Sequence, residues 1–246
     1  MRYLNRFLLP AILLVVSSGA GAWAGTVKFV GCPANGMMGP LPAPVRGRNV
    51  VIPEPGLADS LAYYKAGDGF GVFAPIGWQC REWYGSGSIT LLVMPNAVPP
   101  SYNLSRKTTG SAVTVTSVDG GTSGGMSALR LISQLFPGQD RTFVKEERAE
   151  EKWIYIPKEK FTRYLGAKDS VRRLAQTLLE FTTPPRSVGF GTRGILLPSA
   201  QPIAGLVMLL PPKTGPGLII VRIRLPPTQQ KLLSVILNLI VERHSP

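Results

Sequence analysis

The side chains that could carry out catalysis are few, because the chain contains almost no histidine. Its 246 residues include a single histidine, His244, two positions from the end. Serine and cysteine nucleophiles are usually activated by a neighbouring histidine, so triad-type hydrolysis is excluded. One histidine and two cysteines also cannot complete a Cys/His zinc site. We therefore predict no catalytic nucleophile, no metal site and no cofactor.

Paired carboxylates are the remaining catalytic chemistry. Asp68, Glu82 and Asp119 flank glycine-rich turns, and two carboxylates on either side of a sugar ring can hydrolyse a glycosidic bond. Carboxylates beside turns more often stabilise those turns, and the spacing does not show that the three converge. A carboxylate-dependent hydrolase of cell-wall glycan is therefore the alternative function, behind a binding protein without catalytic activity.

Aromatic side chains are concentrated between Gly71 and Ser88, where Arg81 is the only basic residue. Arg81, Trp83 and Tyr84 would suit stacking on sugars or bases if they faced solvent. Tryptophan and tyrosine are mostly buried on average. A tryptophan packed against a disulfide is therefore the commoner arrangement, and we expect Trp78 to be buried.

A second candidate binding site precedes a predicted helix. The strand pattern 112–118 leads through a glycine-rich loop to a helical pattern over 126–136. Backbone N–H groups at a helix start can hold a phosphate or carboxylate, with Thr122 and Ser123 beside them. The same two residues are also good helix caps, and the loop lacks the spacing of a Walker or dinucleotide-binding motif.

The amino terminus has the pattern of a secretory signal peptide, 1–24. Arg2 and Arg6 precede an apolar run, and Ala22-Trp23-Ala24 has the small-x-small pattern of a signal peptidase site. The apolar run is shorter than the roughly 20 residues that span a bilayer. We therefore predict an exported chain, 25–246, that is periplasmic or extracellular and has no transmembrane segment after cleavage.

Export would place the two cysteines in an oxidising compartment. Cys32 and Cys80 are the only possible pair, and an oxidising compartment favours a disulfide between them. A free reactive thiol is the less favoured alternative, since the number of cysteines is even.

The excess of basic residues points to possible partners. The formal net charge is +13, and the predicted signal peptide carries two of these charges. Basic side chains are dense between Lys158 and Arg193. Such a chain is attracted to anionic envelope components. The alternative is that the positive charge only keeps the protein soluble. Nucleic acid is not among the expected partners, because the sequence contains no recognisable nucleic-acid-binding motif.

Hydrophobic periodicity predicts a single α+β domain over 25–246, with a mainly antiparallel sheet and helices on one face. The predicted strands and helices are strands 26–30, 89–94, 112–118, 203–210 and 218–225, and helices 57–66, 126–136, 170–181 and 228–242. In strand 218–225, Arg222 and Arg224 alternate with apolar residues, which predicts one buried and one solvated face. The repeated strand–strand–helix order suggests two related β-β-α halves, about 57–140 and 141–246, although ordinary α+β folds produce the same order.

Several segments resemble a group of exported bacterial proteins that have no assigned activity. They are Ala74-Pro75-Ile76-Gly77-Trp78-Gln79-Cys80, Tyr84-Gly85-Ser86-Gly87-Ser88, Gly121-Thr122-Ser123-Gly124 and Leu225-Pro226-Pro227. The resemblance covers most of the exported chain, and implies a bacterial origin and one intact unit. It supplies no catalytic residue. Ile76 stands where a basic residue is expected in that pattern, which argues against a binding role there.

These observations predict an exported, non-enzymatic α+β protein. Its expected partner is an envelope component, a polyanion or another protein.

Overall fold

The computed structural model describes residues 24–47, 49–52, 55–67, 69–99, 104–118, 123–139, 168–211 and 215–244. Nearly all of the predicted signal peptide therefore lies outside the described residues, as do Asp68, Asp119, Thr122 and the first part of the basic region. The described strands are β1 Gly25–Gly31, β2 Ala34–Gly36, β3 Val50–Ile52, β4 Leu61–Lys65, β5 Val72–Pro75, β6 Gln79–Tyr84, β7 Ser88–Met94, β8 Ala112–Val118, β9 Ser170–Ala175, β10 Leu178–Thr183, β11 Ile203–Leu209 and β12 Leu218–Arg224. The described helices are α1 Pro55–Ala58, α2 Ser123–Leu135 and α3 Leu232–His244.

The strands form two sheets. The large sheet has the order β2-β6-β7-β8-β12-β11-β10-β9, and the small sheet has the order β3-β1-β4-β5. All neighbouring strands are antiparallel except the pairs β2–β6 and β1–β4. A mostly β structure with a few helices agrees with the predicted α+β class.

The large sheet is covered by apolar side chains on both faces, because successive strand residues point to opposite sides. Leu91, Val115, Val221 and Leu206 lie side by side across four strands. They belong to the core cluster that includes the small sheet and α3, and we call this side the inner face. The next residue on each strand points to the opposite side, which we call the outer face.

The two long helices contact opposite faces of the large sheet. Ile132 and Phe136, in and just after α2, pack with Val207 and Ile220 on the outer face. Residues of α3 belong to the inner-face cluster, and α3 contacts both β5 and β11. The predicted arrangement with helices on one face is therefore not confirmed, because this sheet is apolar on both sides.

The strand order is the same on either side of the central β8–β12 pair, where β7 and β11 are the next neighbours. A twofold axis between two antiparallel neighbouring strands runs perpendicular to the sheet and keeps each element on its own face. Such an axis would therefore place α2 and α3 on the same face, whereas they lie on opposite faces. The symmetric strand order does not establish the two related β-β-α halves, which remain a prediction.

Two predicted helices are strands in the structure. The segment 170–181 forms the hairpin of β9 and β10, and β10 pairs with β11. The segment 57–66 begins in the last two residues of α1 and continues as β4, which lies between β1 and β5 and is buried from Leu61 to Tyr64. In both cases pairing with distant strands overrides a local pattern that also fits a helix. The strand predictions at 112–118 and 218–225 are confirmed.

A disulfide joins the two sheets. Cys32 follows β1 of the small sheet and Cys80 lies in β6 of the large sheet, with their Cα atoms 5.3 Å apart. The predicted pairing is confirmed. Trp78 is buried in the same core cluster as the disulfide, as expected. No helix in the described part of the chain is long and apolar enough to cross a membrane.

Candidate functional site

A cleft of about 620 Å³ opens on the outer face of the large sheet. Its floor is formed by strands β7, β8 and β12, and its walls by α2 and by the loops that precede β8 and follow β10. The floor residues are Thr90, Thr114, Thr116, Val118, Ile220 and Arg222. The wall residues are Leu104, Lys107, Leu131, Phe190, Arg193, Gly194 and Ile195.

Strand register brings the polar floor residues together. Thr116 lies opposite both Thr90 and Ile220, and Thr114 lies opposite Arg222. Positions two apart on one strand share a face, so the threonines of β8 point into the same cleft. Thr90 and Thr116 are joined by a hydrogen bond of 3.2 Å between their Oγ1 atoms.

Arg222 is the central basic residue of the cleft. Its side chain is 5% exposed, and its Nε donates a hydrogen bond of 3.4 Å to the carbonyl oxygen of Phe190. The guanidinium lies 5.2 Å from the centre of the Phe190 ring. Burial lowers the pKa of Arg222 to about 10, and the positive charge of Arg193 contributes to this shift. Arg222 therefore still carries its charge at neutral pH.

Phe190 is held in place by aromatic packing. Its ring meets that of Phe181 edge to face, with the ring centres 4.9 Å apart. Phe181 in turn packs over Gly205, where a Cβ atom would lie 2.6 Å from the Phe181 ring and 2.0 Å from the carbonyl oxygen of Val221. Glycine at 205 thus allows the aromatic pair to support Arg222.

The backbone of the turn that contains Phe190 is held by Asp169. One of its carboxylate oxygens accepts the N–H of Phe190 at 2.6 Å, and the other accepts the hydroxyl of Thr183 at 2.7 Å. The Thr183 hydroxyl oxygen also accepts the N–H of Gly191 at 2.9 Å. Residues 190–192 therefore form a short 3₁₀ turn in a defined position.

Arg224 holds two of the loops that form the cleft walls. It is 1% exposed and donates hydrogen bonds to the carbonyl oxygens of Thr108, Gly110 and Leu197. The same two loops are joined directly, since the N–H of Thr108 donates to Ile195 at 2.8 Å and the N–H of Leu197 donates to Thr108 at 2.8 Å. Burial also lowers the pKa of Arg224.

The prediction of a solvated face on β12 is therefore wrong. Arg222 and Arg224 are both buried, because the loops around Thr108 and Phe190 fold over the outer face. Alternating arginine and apolar residues correctly indicated a strand, but not what covers its polar side.

The charged residues in the described lining of the cleft are all basic. Lys107 and Arg193 stand exposed at the rim, and Arg222 is buried below them. No acidic residue is present in the described lining. Partial burial lowers the pKa of Arg193. The arrangement supplies three cationic groups and three threonine hydroxyls, which are the donors that bind carboxylates and phosphates.

The predicted binding residues on β6 do not share a face. Arg81 and Trp83 point to the outer face, whereas Tyr84 packs on the inner-face cluster and its hydroxyl donates to the carbonyl oxygen of Gly39 at 2.6 Å. Trp83 is half-buried and lies opposite Thr90 at the edge of the cleft floor. The three residues therefore form no single aromatic platform. Ser123 begins α2, and Thr122 lies outside the described residues.

Among the three candidate catalytic carboxylates, the structure describes only Glu82. It is 4% exposed and lies opposite Leu91 on the inner face, with its carboxylate packed against the backbone of Gly69. Glu82 therefore lies on the side of the sheet opposite the cleft. Within the described residues, no group of three or more potential metal ligands is found.

Sequence reasoning missed the cleft, because its residues come from segments far apart in the chain. The signals that could have indicated it are the two arginines of β12 and the glycine-rich loop 189–194. Comparison with known proteins does not identify its ligand: no protein-family model, curated protein or solved structure matches the chain.

Proposed function

We propose that this protein is an exported, non-enzymatic binding protein, and that its ligand is an anion held in the outer-face cleft. The observation that supports the proposal is the position of Arg222. Its guanidinium is charged and buried, forms no ion pair among the described residues, and faces a cleft without a described acidic residue. A buried charge without a counter-ion is costly, and an anion in the cleft would offset that cost.

The expected contacts follow from the donors that are present. The guanidinium of Arg222 can form charge-assisted hydrogen bonds with a carboxylate or phosphate, and each such bond contributes about 1.5–3 kcal/mol. Thr114 lies beside it on the floor and Arg193 above it. An anionic group of an envelope component is a ligand class that fits this site, and the basic surface would attract it.

Export is part of the same proposal. The amino-terminal pattern of arginines, apolar run and Ala22-Trp23-Ala24 supports cleavage after Ala24. The disulfide between Cys32 and Cys80 is typical of a periplasmic or extracellular protein. The alternative of a cell-wall glycan hydrolase has less support, since Glu82 is buried on the other side of the sheet.

Thermal unfolding with added inorganic phosphate tests the proposal. At constant ionic strength, phosphate should raise the Tm of the wild-type protein, because a ligand that binds the native state stabilises it. The Arg222→Met variant should lose this increase. Arg46→Met removes the same charge from an exposed position and should retain it. An equal phosphate effect in Arg222→Met and wild type would place the anion elsewhere and refute the proposal.

A polyanion bound only by the basic surface predicts a different result. Retention on heparin resin would then depend on salt and would be reduced to the same extent in Arg222→Met and Arg46→Met. Stronger retention of Arg46→Met than of Arg222→Met would favour the cleft.

A further inference from the structure

The floor of the cleft changes from polar to apolar along its length. On the outer face of β8, Thr114 and Thr116 are followed by Val118. Beside them on β12, Arg222 is followed by Ile220 in the same direction, since the strands are antiparallel. Two residues of a strand span about 6.8 Å, so Thr114 and Val118 lie about 13 Å apart along the floor.

The three cationic groups lie at the polar end. Gly194, next to Arg193, has Arg222 as its nearest side chain, 3.6 Å from the position of an added Cβ atom. Lys107 precedes Thr108, whose carbonyl oxygen accepts a hydrogen bond from Arg224, two residues after Arg222 on the same face of β12. The positive charges are therefore gathered around one end of the floor.

The apolar end is covered by α2. Leu131 of this helix and Val118 of β8 both pack against the outer-face cluster, which contains Ile220. Leu131 and Val118 also line the cleft. An inorganic anion at Arg222 would leave this apolar end of the cleft in contact with water.

We infer that the ligand is an amphipathic anion, with a carboxylate or phosphate head at Arg222 and Thr114 and an apolar tail along Ile220 toward Val118 and Leu131. This inference rests on the proposed function, because it uses the same cleft and the same arginine. It adds the chemical class of the ligand, which is a single anionic head on a hydrocarbon chain.

Isothermal titration with carboxylates of increasing length tests this class directly. The purified, disulfide-bonded protein is titrated with sodium butyrate, hexanoate and octanoate below their micelle concentrations. Each buried methylene strengthens binding about fourfold. Octanoate has four more methylenes than butyrate, so it should bind about 250-fold more tightly. A parallel titration with octyl phosphate shows which head the site prefers.

Two variants separate the head from the tail. Arg222→Met should weaken binding of all the carboxylates, whereas Leu131→Ala should weaken octanoate by about fivefold and leave butyrate unchanged. Ser133→Ala, on the same helix but absent from the described cleft lining, is the control and should change neither.

The possible outcomes distinguish the inference from the proposed function. Affinity that depends on Arg222 but not on chain length would overturn the amphipathic class and leave the anion site intact. Affinity that rises with chain length but is unchanged in Arg222→Met would place the tail on another apolar surface and overturn the inference. Absence of binding by phosphate, octanoate and octyl phosphate would overturn both.

Discussion

Replacement of Arg222 by methionine should make the protein more stable while no anion is bound. Burial lowers the pKa of Arg222 to about 10, well below the ordinary value for arginine, and each pKa unit corresponds to about 1.4 kcal/mol. The charged side chain therefore costs the native state on the order of 3 kcal/mol relative to its neutral form. Methionine has a similar unbranched shape and no charge to bury.

The variant also loses contacts, and these reduce the gain. The hydrogen bond from Nε to the carbonyl oxygen of Phe190 and the contact with its ring are absent in methionine. A hydrogen bond of this kind contributes about 1 kcal/mol, and a cation–π contact about 0.5–1 kcal/mol. We therefore expect a net increase in the free energy of unfolding of about 1–2 kcal/mol, within the range seen when buried charges are replaced by apolar residues.

Urea unfolding at neutral pH in a buffer low in multivalent anions measures this difference. Guanidinium chloride is unsuitable, because it adds a high concentration of an anion and of a guanidinium ion. The Arg46→Met control should change the free energy of unfolding by less than about 0.5 kcal/mol. A less stable Arg222→Met protein with an unchanged m-value would show that the empty cleft already accommodates the charge. The physical reason for anion binding would then be lost.

The difference in the free energy of unfolding between Arg222→Met and wild type should depend on pH. Near pH 10 the native protein releases the Arg222 proton, whereas the unfolded chain retains it to a higher pH because burial does not lower the pKa of arginine there. Because the unfolded state then binds more protons, this group makes the wild-type protein more stable as the pH rises. The advantage of Arg222→Met should therefore decrease between pH 10 and 11.

Three further predictions concern the residues that support the fold. Arg224→Met removes the hydrogen bonds to three loop carbonyl groups, of which that of Thr108 still accepts the N–H of Leu197. It should lower the free energy of unfolding by about 3 kcal/mol in urea; a neutral result would mean that the loops do not need these hydrogen bonds. The buried Tyr64 hydroxyl donates to the carbonyl oxygen of Pro75 at 2.8 Å, so Tyr64→Phe should cost about 1 kcal/mol at neutral pH. Burial raises the pKa of Tyr64 to about 12, so the stabilising effect of Tyr64 is complete below pH 10 and is lost as the pH rises toward 12. Urea unfolding of both proteins at pH 9 and pH 11 should therefore show that the wild type loses more stability than Tyr64→Phe. Equal losses would contradict this prediction. Replacing both Cys32 and Cys80 by alanine should lower the free energy of unfolding by about 4 kcal/mol in the chain-entropy model; a loss below about 1 kcal/mol would show that the two sheets hold together without the covalent link.

The segment 170–181 shows where local pattern fails as a guide to structure. Val171, Leu174, Leu178 and Phe181 fit one face of a helix, but in the structure the first two are exposed on edge strand β9 and the last two are buried on β10. The pairing of β10 with β11, a segment more than twenty residues later, decides the outcome. Sequence periodicity carries no information about that partner.

The strands at 112–118 and 218–225 could be predicted, because their alternation is local and their ends are marked by glycine or proline. The disulfide could also be predicted, since the chain offers only one pair of cysteines. A multi-histidine metal site is not expected from composition, because the sequence contains a single histidine; this remains a prediction.

Only the tertiary structure decided the role of Arg222 and Arg224. Their alternation with apolar residues places both on one face of β12, and a solvated face is the ordinary reading of that pattern. Whether that face meets water depends on the loops around Thr108 and Phe190, which are about a hundred and about thirty residues away in the chain. Burial turns one arginine into a clamp for those loops and the other into a charged group facing a cleft. Side-chain type could be read from the sequence, but burial depends on contacts between distant segments.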